Sequence, residues 1–212
     1  DYTINQSNGC TLHHVLINKG AKEGEKSYST GPLTDEKSGL KISDGGKSNS
    51  ISLDSDFTIT GDLLIDWNST LNLGGYNCNV SGGVSDYGII SIPNNTDLSA
   101  NSIYWQSGSQ ANINTGTIHV SNWTFGGGSM ANIGAGNTAY VDGWISMDYC
   151  SSAFGSLVLE ATSELMDNGG KAPTIMINGD LTVSTGANWI FSLSMEVQGD
   201  FYSQPGSYLA YD

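Results

Sequence analysis

The sequence predicts an all-β fold: a β-solenoid or β-arch stack with about 20 residues and two strand words per turn. Three observations carry this. The composition is turn-rich, with 28 Gly, only 13% charged residues, and polarity supplied mainly by Ser, Thr and Asn. The word Ile59-Thr-Gly61-Asp62-Leu63 returns as Ile177-Asn-Gly179-Asp180-Leu181 and Val197-Gln-Gly199-Asp200-Phe201. A second word, opening on a small residue and ending apolar, runs out of phase with the first. Strand words about ten residues apart also suit an antiparallel β-sandwich, the alternative fold. The return of Gly-Asp in every second word favours the solenoid.

The chain divides near residue 50. Residues 1–47 hold six lysines and six acids and are neutral, whereas residues 48–212 hold one lysine, Lys171, and fifteen acids. Within residues 1–50, Thr11-Leu-His-His-Val-Leu-Ile17 reads as a strand. The Gly/Ser/Lys-rich stretch from Lys19 to Ser50 reads as an arm or linker. Residues 51–212 form the repeat solenoid.

In the repeat, looser copies of the first word are Val80-Ser-Gly82-Gly-Val84, Val120-Ser-Asn122-Trp-Thr124 and Val141-Asp-Gly143-Trp-Ile145. The second word appears as Ser69-Thr-Leu-Asn-Leu73, Gly88-Ile-Ile-Ser-Ile92, Ser109-Gln-Ala-Asn-Ile113 and Ser129-Met-Ala-Asn-Ile133, then as Ala187-Asn-Trp-Ile-Phe191 and Ser207-Tyr-Leu-Ala-Tyr211. One turn cannot bury its own apolar face, but turns stacked about 4.8 Å apart pair their backbones around a continuous core. Alternation places Ile59, Leu63, Leu73, Val80, Ile92, Ile113, Val120, Ile133, Val141, Ile177, Leu181, Val197 and Leu209 inside. Leu157–Met166 reads as a helical insert, and Ser156–Glu160 reads equally well as a further strand of the stack.

Charge excludes several functions. Twenty-one acids against seven lysines, with no arginine, give a net −14. That field repels nucleic acid and anionic lipid. No apolar run reaches the ~18 residues of a membrane helix. The chain starts at Asp1 without Met, and five Asn-x-Ser/Thr acceptors occur, at Asn5, Asn68, Asn79, Asn94 and Asn122. Both point to a secreted, extracellular or cell-surface protein with candidate glycosylation sites. Cys10, Cys78 and Cys150 fit one disulfide with a leftover thiol, or a pairing between subunits.

Candidate chemistry is sparse. Asp62, Asp180 and Asp200 follow a corner glycine, so stacked carboxylates there are weak calcium candidates, and no other cofactor is expected; each also suits an Asx turn. Cys10, His13 and His14 are close, but His13 and His14 point to opposite faces of a strand. No Ser-His-Asp spacing occurs, and no catalytic residue is assigned. Thr58/Thr60 and Thr115/Thr117 have the Thr-x-Thr spacing of an ice-binding ladder but fall in different phases of the repeat. The aromatics Trp67, Trp105, Trp123, Trp144, Trp189, Tyr140, Tyr202, Tyr208 and Tyr211 could stack on glycans or pack a sheet face.

The last strand word, with Tyr208, Leu209, Ala210 and Tyr211, has no capping helix, Pro or Lys after it, and reads as an assembly edge. The words Thr58-Ile-Thr-Gly-Asp-Leu63 and Asn178-Gly-Asp-Leu-Thr-Val183 resemble secreted microbial β-solenoid surface proteins. The ~20-residue repeat is similar to the passenger stacks of self-associating adhesins and to the amyloid-like sheath proteins of methanogenic archaea. This resemblance implies a non-enzymatic structural protein that joins copies of itself through strand edges into a fibre, sheath or coat. The alternative is a carbohydrate-binding adhesin domain with glycan partners; a polysaccharide-active β-helix enzyme or an ice-binding protein is a weaker fit.

Overall fold

The computed structural model describes residues 56–211 apart from 66, 68, 94, 149–151, 162 and 168–173, together with strand segments at 2–4, 15–18, 27–29, 39–43 and 49–53. The chain winds as a β-solenoid of about 7 turns, with parallel strands stacked about 20 residues apart. No helix occurs among the described residues, and 157–166 carries the strands Ser156–Leu159 and Ser163–Asp167.

Each turn has three sides. The first side stacks Asn49–Leu53, Ser69–Asn72, Ile89–Ile92, residues 110–113 and residues 130–133, then Ser152–Phe154, Thr174–Ile177 and Ser194–Val197. The second runs from Phe57–Ile59 through residues 78–80, 98–100, 118–120 and 139–141 to Ser156–Leu159, Leu181–Val183 and Phe201–Ser203. The third runs from Asp62–Ile65 through residues 84–86, 103–105, 123–125 and 145–147 to Ser163–Asp167, Asn188–Phe191 and Tyr208–Tyr211. The two sequence words thus resolve into three strand segments. The Gly-Asp word straddles a corner, and its two apolar ends belong to different sides.

Strands from the first fifty residues join these ladders. Tyr2–Ile4 pairs in parallel with Asn49–Leu53, and Gly39–Ser43 with both Asp62–Ile65 and Val15–Asn18. Ser27–Ser29 adds the antiparallel strand, against Val15–Asn18. The stretch read as a linker therefore includes two strands, Ser27–Ser29 and Gly39–Ser43.

The core fills the triangle. Ile59, Leu63, Leu73, Val80, Ile92, Ile113, Val120, Val141, Ile177 and Leu181 are all buried. Val197 and Leu209, in the last turn, are only partly so, and the side chain of Ile133 lies outside the described set. Trp105, Trp123, Phe125 and Phe154 form an aromatic cluster, with Trp123 edge-on to Trp105 at 4.9 Å and to Phe154 at 5.4 Å. Such offset and edge contacts suit ring quadrupoles better than face-to-face stacking.

The sequence repeat slips by one side partway along the stack. Gly61, Gly82 and Gly143 sit between the second and third sides, whereas Gly179 and Gly199 sit between the first and second. The tight turns follow. Ser107-Gly108 and Gly127-Gly128 join the third side to the first, while Thr185-Gly186 and Pro205-Gly206 join the second to the third. In all four the glycine has positive φ, between 73° and 82°, and the residue after it donates its N–H back across the turn. That is the geometry a type II turn requires at its third position.

Candidate functional site: the corner columns and the end face

Two Asp residues of the Gly-Asp words, Asp62 and Asp180, serve the backbone of the next turn. Asp62 Oδ1 accepts from the Gly83 N–H at 2.8 Å, and Asp180 Oδ1 from the Asp200 N–H at 2.8 Å. Ser156 Oγ does the same for the Asp180 N–H one turn earlier, at 3.1 Å. A strand ladder breaks at a corner, and these side chains satisfy the donors the break leaves over. The calcium candidates therefore lie in two columns: Asp180 and Asp200 are stacked, and Asp62 stands on another corner. Among the described residues no group of three His, Cys, Asp or Glu side chains is placed to hold a metal ion.

The other sequence candidates fall as follows. Cys78 is buried in the core with a free thiol, and burial pushes its pKa up to about 12, so it is an unreactive thiol at neutral pH. Cys10 and Cys150 lie outside the described residues, as do His13, His14, Asn5, Asn68 and Asn94. Asn79 is exposed on the second side, whereas Asn122 is half-buried and its Oδ1 accepts from the Trp144 N–H at 3.4 Å. Thr58 is level with Asn79, and Thr117 lies between Asp97 and Thr138, so the two Thr-x-Thr pairs do not extend into one ladder. Among the aromatics, Trp105, Trp123 and Trp189 are core residues, and Trp67, Tyr202, Tyr208 and Tyr211 are exposed.

The strand predicted as an assembly edge, Tyr208–Tyr211, pairs on one side with Asn188–Phe191. Tyr208 and Tyr211 are exposed, Leu209 and Ala210 are half-buried, and Tyr211 lies edge-on to Phe191 at 5.3 Å. The structure adds two more such strands. Ser194–Val197 pairs with Thr174–Ile177, Phe201–Ser203 pairs with Leu181–Val183, and neither has a second neighbour among the described residues. All three sides of the turn over residues 194–211 thus present backbone N–H and C=O groups on one face. Phe201 at 52%, Tyr202 at 49%, Tyr208 at 57% and Tyr211 at 69% are the large side chains exposed around it. Tyr202 donates to Asp200 Oδ2 at 3.1 Å; this bond, with the nearby acidic charge, raises the phenol pKa. Phe201 was hidden from sequence reasoning because it closes a Gly-Asp word whose other copies end in buried leucine at Leu63 and Leu181.

No helix among the described residues is long and apolar enough to cross a membrane. No protein-family model matches the chain, and no curated protein or solved structure is significantly similar to it.

Proposed function

We propose that this chain is a non-enzymatic structural protein of the cell exterior, whose copies associate head to tail, the face made by residues 194–211 set against the opposite end of the next copy, to build a fibre, sheath or coat. The observation that carries this reading is that, among the described residues, all three strands of that turn are paired on one side alone, with Phe201, Tyr202, Tyr208 and Tyr211 exposed around them. Parallel strands in a solenoid gain their stability from neighbours above and below. A second copy supplies those hydrogen bonds and covers the apolar rings at once.

Electrostatics sets the conditions. Copies each carrying a net −14 repel one another at low ionic strength. Salt shortens the reach of that repulsion to about 8 Å at physiological strength without weakening backbone pairing or ring burial. Association should therefore strengthen with added salt. Sedimentation velocity of the full chain at low and at physiological salt checks this. Larger species at higher salt are expected, and Leu209→Pro, which removes an N–H directed away from Asn188–Phe191 and sets a ring on the open edge, should return the protein to a single small species. A monomer at every salt and protein concentration, or assembly unchanged in Leu209→Pro, would contradict the proposal.

A further inference from the structure

The outer surface of the second side carries a groove of about 310 Å³ that spans several turns. Its floor is the pleated backbone around Val80, Ala100 and Val120, whose own side chains point inward. Outward, the row level with Asn79 continues as Ser99, His119 and Tyr140. The rings of His119 and Tyr140 stack face to face, 5° from parallel with centroids 4.5 Å apart. That separation is close to the strand spacing, so the rings are piled along the solenoid axis. His119 consequently turns its free face toward Ser99, where the side chain is small and the groove opens. Tyr140 backs the imidazole from the next turn. The far rim is polar and acidic, and includes Asn101, Asp142 and Glu160, all exposed. No lysine is among the described residues that line the groove.

From this geometry we infer that the groove binds a linear oligosaccharide free of acidic groups, with one pyranose ring seated over Ser99 against the imidazole face of His119. An aromatic wall beside a small residue leaves a slot for a flat, CH-rich ring. The amides of Asn79 and Asn101 offer both donors and acceptors to sugar hydroxyls, and the carboxylates accept only. Two carboxylates without a compensating cation, on a protein of net −14, repel uronic-acid or sulfated chains. An amino-bearing sugar gains from the same charge. The groove lies on the flank of the stack and the proposed association face on its end, so sugar binding and self-association are separable.

The test is calorimetric titration of the full chain with three hexasaccharides: a neutral β-linked glucan, a glucosamine oligomer and an oligogalacturonate. Binding of the first two and none of the third is expected, with the glucosamine oligomer the tighter of the two at low salt. His119→Ala should weaken binding of the neutral glucan about tenfold or more. Ser99→Tyr should abolish it, because a third ring then fills the slot; that change is on the surface and extends an existing ring stack, so a retained melting temperature shows the fold is intact. Reading the loss in His119→Ala on the neutral glucan separates ring stacking from general attraction of a cationic sugar to an acidic protein. Absence of neutral-glucan binding, equal binding of the oligogalacturonate, or undiminished affinity in folded Ser99→Tyr each overturns the inference.

Discussion

Two glycines with the same sequence neighbours in style do different work. A Cβ on Gly82 would overlap the Asp62 carboxylate and the Gly61 carbonyl of the turn beneath. Gly128 has open space around it and needs only its positive φ of 75°. Gly82→Ala is therefore expected to cost about 2 kcal/mol or more, through strain at the corner and loss of the Asp62–Gly83 bond, and Gly128→Ala about 1 kcal/mol. Paired denaturant titrations of the two variants read this difference. Asp86 is the other telling residue. It stands in the same stacked column as the buried Ile65, Trp105, Phe125 and Met147. Its Oδ1 accepts from the Gly88 N–H at 2.9 Å, while Oδ2 is buried without a partner. Burial pushes its pKa up from 3.8 to about 7, against the smaller opposing effect of that hydrogen bond. The folded state thus holds the proton more tightly than the unfolded chain. Stability on this account is full below pH 3.8 and is lost as pH rises towards about 7; the gap corresponds to on the order of 4 kcal/mol. Asp86→Asn keeps the bond to Gly88 and removes the titration. Denaturation midpoints at pH 4 and pH 8 should differ in the parent by far more than in the variant; an equal difference in both would remove Asp86 as the cause.

At the scale of strands, much of the architecture was legible. The ~20-residue period and the period-2 alternation placed Ile59, Val80, Val120 and Val141 inside, and all are buried in one stacked column. The three-sided cross-section was not legible, because a corner as short as Thr60-Gly61 leaves no loop-length gap between strands. Its two flanking strands, such as Phe57–Ile59 and Asp62–Ile65, then read as one word. The slip was hidden for a related reason. The succession of corner, strand, Gly turn and strand survives intact between the two halves, and only its placement on the triangle moves. Local sequence specifies corners and turns; which side each occupies depends on the summed length of everything before it. The rings at the third side were similarly ambiguous, since an aromatic beside a strand word serves a core or a surface equally well. Here Trp123 touches Trp105, Phe125 and Phe154 and ties the third side to the first. Trp123→Ala should cost about 3–5 kcal/mol in equilibrium unfolding, whereas the exposed Trp67→Ala should cost far less.

At the scale of the molecule, the acidic charge and the open face pull in opposite directions. The net −14 keeps copies apart, and the turn over residues 194–211 presents three half-paired strands with Phe201, Tyr202, Tyr208 and Tyr211 exposed. Of the site, Tyr208–Tyr211 was legible as a strand that closes a repeat. The contributions of Ser194–Val197 and Phe201–Ser203 were not, because they face the same way only once the triangle is closed. Copies joined with this face against the opposite end of the next copy should place strands perpendicular to the assembly axis, continuing the parallel ladders from one molecule to the next. Electron microscopy combined with fibre diffraction of the full chain at physiological salt tests this most directly. The account predicts elongated assemblies with a meridional reflection near ~4.8 Å; dispersed single particles, or aggregates without that reflection, would contradict it.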